Sequence, residues 1–220
     1  MDATSFEIKD CALSAISVGR RAQNLKELLD GVRSVPGGSI YHHFWGRLLY
    51  PAFDDPEYNN DFASWVRHQL HDHKLAERLA VIDPAQHGDL EKLRQAVADA
   101  IEERLEEVEI PAWTPIDRQF HFIRAQTVVF DTRHSINDPA ELAAILPTLS
   151  LGSLYYHVID ARRREPLGLD DFSGWIGGLG PKYLPLTQKL FELDPYFVSL
   201  AQLRDRLTAV FSGFFGKGAA

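Results

Sequence analysis

Two short stretches carry histidine in matching settings: "SIYHHF" from Ser39 and "SLYYHV" from Ser153. An imidazole titrates near neutral pH, moves protons and binds divalent metals, so His43 and His157 are the first candidates for chemistry. Carboxylates follow each of them at Asp61, in "NDFASWV", and Asp171, in "DDFSGWI". His43, His157, Asp61 and Asp171 therefore form a candidate divalent-metal set, in which paired imidazoles hold an ion or polarise a ligand. A ligand-binding set overlaps it: His43, His157, Tyr41, Tyr155, Trp65, Trp175 and Arg163. Trp65 and Trp175 each lie one turn after a phenylalanine and can stack on a sugar or a base. Arg163, within "ARRRE", can clamp a phosphate or a carboxylate.

Each of these has a plainer reading, and the spacing favours it. Ile40, His43 and Phe44 share one helical face, as do Leu154, His157 and Val158, so a neutral core histidine with a hydrogen-bond partner explains both. Aromatic residues one turn apart are usually core, and arginines at a helix end are usually solvated. "RHQLHDHKL" brings His68, His71 and His73 together, but the H-E-x-x-H pattern that supplies a general base is missing, and a polar helix end accounts for the cluster. No nucleophile elbow and no phosphate-binding loop occurs, and "GGLG" at Gly177 follows a helical pattern rather than a strand.

Composition narrows the classes further. A formal charge of −8 is the wrong sign for general nucleic-acid binding. The single cysteine, Cys11, permits neither an intrachain disulfide nor a thiolate metal cluster. The N-terminal residues lack a signal-peptide pattern, and no stretch approaches the roughly 18 apolar residues of a membrane span. A soluble cytoplasmic chain is expected, with a protein partner or a small molecule as ligand, no cofactor, and a divalent metal only under the alternative reading.

The elements that must position these residues repeat. "GSIYHH" pairs with "GSLYYH", "NDFASWV" with "DDFSGWI", "LAVIDP" with "LFELDP", and "LEKLRQAV" with "LAQLRDRL", in the same order along the chain. Phe6 pairs with Phe120, and Glu27-Leu28 with Glu141-Leu142. The one large change of offset falls in the loop-like "YPAFDDPEYNN", where length changes are tolerated. This predicts an internal duplication: a first unit over 6–108, a joint over 109–119 marked by "EIPAWTP", and a second unit over 120–215. The expected fold is mostly α (α+β): two homologous helical subdomains related by a pseudo-twofold axis, each led by one short strand that can pair with its counterpart. The strands are placed at Cys11–Val18 and Ala125–Thr132. Asn24, Asp138, Ser39, Ser153, Asn60, Asp170 and Asp194 are read as helix N-caps.

The run "SIYHHF", "NDFASWV", "LAERLAVIDP" and a leucine-spaced helix, preceded by "VGRRAQNLKELLDGVRSVP", resembles an uncharacterised prokaryotic domain-of-unknown-function family over nearly the whole chain. The resemblance implies a cytoplasmic prokaryotic protein found beside sugar-transfer and trehalose-type enzymes. It brings no catalytic residues with it. The function expected is a non-catalytic accessory module that binds a ligand or a protein. The alternative is a metal-dependent enzyme using His43 and His157 with nearby carboxylates in a groove between the units.

Overall fold

Two strands of 17 residues each, β1 (Phe6–Ala22) and β2 (Phe120–Ile136), form a two-stranded antiparallel ribbon in the computed structural model. The structure describes residues 5–49, 58–87, 89–107, 118–164, 168–196 and 198–216. Both strands outrun the β-branched runs that mark them in sequence, because flanking stretches such as "GRRA" and "FHFIR" gain ladder partners there that an isolated strand would lack. Everything else of regular structure among the described residues is helical.

By contacts the chain forms two compact units, and these regroup the linear halves. One comprises 13–126; the other joins 1–12 to 127–220. Each unit thus takes its helices from one half of the sequence and a strand end from the other. The joint expected at 109–119 lies almost wholly outside the described residues.

In the 13–126 unit, α1 (Leu25–Ser34) and α2 (Gly37–Trp45) pack on α5 (Leu90–Glu107). The short α3 (Asp61–Trp65), continued by a π-helical turn over Val66–Leu70, packs on α4 (His73–Ala80), which also meets α5. Of Leu90, Leu93, Val97, Ile101 and Leu105, which recur at helical spacing along α5, the middle three are buried and the outer two half-buried. Phe122 from β2 is fully buried as well and lies so close to α1 that a Cβ at Gly31 would sit 2.2 Å from its ring. In the other unit, α10 (Leu200–Phe215) packs on α6 (Pro139–Ile145), α7 (Leu151–Leu154) and α9 (Leu184–Phe191), and α8 (Asp171–Gly178) meets α9. Leu200, Leu203, Leu207 and Phe211 form its buried face.

Four of the expected caps are in place: Asn24, Asn60, Asp138 and Asp170 each accept a backbone N–H of the first turn. Ser39 and Ser153 instead lie inside α2 and α7, because these helices begin earlier, at Gly37 and Leu151; Ser150 caps α7. The last helix starts at Leu200 behind Ser199, which forms a reciprocal capping box with Gln202. Asp194 holds the Tyr196 N–H in the preceding turn.

Candidate functional site

The first turn of α3 places Asp61 one residue after its cap, where the positive end of the helix favours a carboxylate. His43, in the last turn of α2, directs Nδ1 to Asp61 Oδ2 at 2.9 Å. Its other ring nitrogen, Nε2, accepts the backbone N–H of Ile123 in β2 at 3.2 Å. Those two bonds fix the tautomer: the single proton of a neutral ring sits on Nδ1, and Nε2 offers its lone pair. The ring is 2 % exposed and walled by Phe62, Phe120 and Phe122. Asp61 also receives Arg47 at 3.3 Å.

The other unit repeats the arrangement. Asp171 opens α8, and His157, here on a π-helical turn over Tyr155–Asp160, directs Nδ1 to Asp171 Oδ2 at 2.7 Å. Its Nε2 accepts the Lys9 N–H of β1 at 2.9 Å. Phe6 and Phe172 pack on the ring. Arg164 reaches Asp171 Oδ2 at 2.9 Å and lies over the Tyr156 ring.

In a two-stranded ribbon the outward N–H groups of each strand have no ladder partner. Ile123 and Lys9 point such donors at helices, and the imidazoles supply the acceptors a third strand would have given. Sequence reading placed these histidines on apolar faces but missed the strand amides; the matched Phe6 and Phe120, beside them on the ribbon, were the available signal.

The proposed metal set divides accordingly. His43 joins Asp61 in one unit and His157 joins Asp171 in the other. The donor atoms of His42, His43 and Asp61 lie within 4.8 Å of one another, the one such grouping among the described residues. Nδ1 of His43 could ligate only by moving its proton to Nε2, and that proton would face the Ile123 N–H. His42 is buried, and burial first, then neighbouring His43, pushes its imidazole below the usual range, while Asp61 opposes this. Its Nδ1 has no hydrogen-bond partner among the described residues and abuts Gly46, where a Cβ would stand 2.5 Å away.

Tyr41 is buried against Trp45, and Tyr155 is completely buried. Trp65 is buried and donates its indole N–H to the Arg118 carbonyl at 2.8 Å; Trp175 is half-buried beside Phe6. Arg163 pairs with buried Asp160 at 2.7 Å. His68, His71 and His73 do not converge: His68 faces the Tyr58 ring, His71 ends the π-helical turn in the left-handed region, and His73 meets Arg67.

A recess of about 660 Å³ opens in the 13–126 unit above His43 and Asp61. Ser64, Gln69, Arg118, Gln119 and His121 line it, and among the described residues none of these side chains has a hydrogen-bond partner. Sequence reading singled out none of the five, since they converge only once the 118–123 segment lies beside α3.

A mostly helical chain bearing a two-stranded ribbon, with one imidazole–carboxylate pair in each compact unit, is the class defined by these observations. The chain belongs to a family of unknown function, DUF5752, whose pattern matches residues 3–212. No curated protein matches it. Among solved structures it is similar to "The structure of OrfY from Thermoproteus tenax", at 25% sequence identity over 96% of each chain with a TM-score of 0.82.

Proposed function

We propose that this chain is a non-catalytic binding module of a cytoplasmic prokaryotic system, and that the recess of the 13–126 unit is its ligand site. The observation that carries this reading is the engagement of both nitrogens of His43 and of His157. A general base or a metal ligand needs a free lone pair, and each ring's one lone pair already holds a strand amide. The free hydrogen-bonding groups lie instead around the recess. Arg118 brings a full positive charge there, and the charge of Asp61 is answered by Arg47, so the recess favours a small anion such as a phosphate or a carboxylate. The setting beside sugar-transfer enzymes that the sequence resemblance implies makes a hexose phosphate the first candidate. The repeated His–Asp–amide contact also supports reading the two halves as copies of one ancestral unit, related by a pseudo-twofold axis, that have exchanged strand ends.

Calorimetric titration with inorganic phosphate and with a hexose phosphate tests the ligand site. Saturable binding is expected, weakened about tenfold or more by Arg118→Ala, as for the loss of a charge-assisted bond. His157→Gln should leave it unchanged. Absence of binding by the unaltered chain, together with capture of a protein partner on the same face, would replace the small-molecule reading.

A further inference from the structure

We infer that the ribbon end carried by the 13–126 unit is a docking strip for an acidic, extended segment of a partner protein. Arg20 and Arg21 lie at the end of β1, and Arg124 lies near the start of β2, so the antiparallel ladder gathers all three at one end of the ribbon. All three are exposed, and among the described residues none of their guanidinium groups has a hydrogen bond or an ion pair. Elsewhere in this unit the cations are engaged. Arg33 meets Glu102, Arg47 meets Asp61, Arg94 meets Glu91 and Arg104 meets Asp72. Every other described lysine and arginine of the unit, Arg118 of the recess apart, likewise has a side-chain partner. Within the unit neither strand carries an acidic residue, and the next acid beyond Arg21, Glu27, accepts from the Gln23 N–H and the Asn24 amide.

The fold does not demand these arginines. His43 and His157 take the amides of Ile123 and Lys9, which sets the two strands in matching register. In that register Arg124 corresponds to Asp10, Arg20 to His134 and Arg21 to Ser135, so the matched helices are served without arginine. The form of the partner follows from the strand. The ribbon has only two strands, and among the described residues no hydrogen bond from outside the ladder reaches β1 between Leu13 and Ile16. An added strand satisfies such an edge, and carboxylates along it find the free guanidinium groups. The chain is −8 overall with these arginines counted, so the surface beyond the strip repels a long polyanion, whose repeating phosphates extend past it. A short acidic segment touches the strip alone.

Fluorescence anisotropy of a labelled polyglutamate peptide, titrated with the full chain, tests the docking. Saturable binding is expected, weakened by added salt. It should fall about tenfold or more in the triple variant Arg20→Ala, Arg21→Ala, Arg124→Ala, as for the loss of several exposed ion pairs. The corresponding triple lysine variant, which keeps the charge, should retain most of it, and Arg206→Ala, an exposed position of α10, should bind as the unaltered chain does. Inorganic phosphate should bind the triple alanine variant as before, because Arg118 is retained. A matching loss of phosphate binding would make the three arginines part of the recess and overturn a separate strip. Failure of the unaltered chain to bind polyglutamate overturns the proposal, leaving the arginines as guards of the strand edge against pairing. So does equal binding by the triple alanine variant, and so does tighter binding of an oligothymidylate of equal charge, which would make nucleic acid the occupant.

Discussion

His157 Nε2 accepts the backbone N–H of Lys9 at 2.9 Å, across 148 positions of sequence. Through Nδ1 the same ring reaches Asp171 at 2.7 Å. One side chain thus joins the start of a helix to a strand contributed from far away, with both of its polar atoms buried in the act.

Substitution at His157 should separate hydrogen bonding from packing. Glutamine keeps a donor and an acceptor, whereas leucine fills the volume and leaves the Lys9 N–H and the Asp171 carboxylate short of a partner. His157→Leu should cost about 1–3 kcal/mol more than His157→Gln, the usual penalty of an unsatisfied buried group. Urea denaturation of both variants measures the difference, and equal midpoints would show that the contacts contribute nothing.

Gly152 and Gly38 occupy matching places in the two sequence halves but unlike spaces. A Cβ at Gly152 would stand 2.1 Å from Asp10 Oδ1 and 2.3 Å from the Cys11 carbonyl, whereas at Gly38 the nearest atom is 3.8 Å away. Gly152→Ala should destabilise by about 1–3 kcal/mol, because backbone must move. Gly38→Ala should be neutral or gain a few tenths of a kcal/mol from helix propensity. Thermal melts of the two variants supply the ranking, and the reverse order would refute the close strand–helix approach.

Cys11 should be inert. Burial, reinforced by Asp160 and Asp10, pushes its thiol up to about 12, and Sγ donates to the Gly152 carbonyl at 3.3 Å. The thiolate is the reactive form, so at about pH 8 an alkylating reagent should label the folded chain far more slowly than the chain in denaturant. Rapid labelling without denaturant would place the thiol at the surface.

Much of the helical plan was legible because it rests on local physics. Asn24, Asn60, Asp138 and Asp170 cap where their side chains can reach the next turn, and Leu200, Leu203, Leu207 and Phe211 bury at helical spacing. Caps failed where a polar residue lay within a helix that began sooner, as at Ser39, whose hydroxyl is buried without a partner among the described residues. The histidine pair was legible as two apolar-face positions. Its role was not, because a side-chain pattern carries no record of which backbone amide will arrive from another part of the chain. The recess residues Arg118 and His121 were hidden for the same reason.

The regrouping of the chain into 13–126 and 1–12 with 127–220 imposes an order on biosynthesis. The first of these units holds all its parts once residue 126 has left the ribosome. The other must wait for α10. Throughout that interval Phe6, Ile8 and Lys9 lack the later helices that receive them. Residues 6–12 precede in synthesis every helix they pack on, and a chain arrested before α10 would present them, apolar residues included, to chaperones.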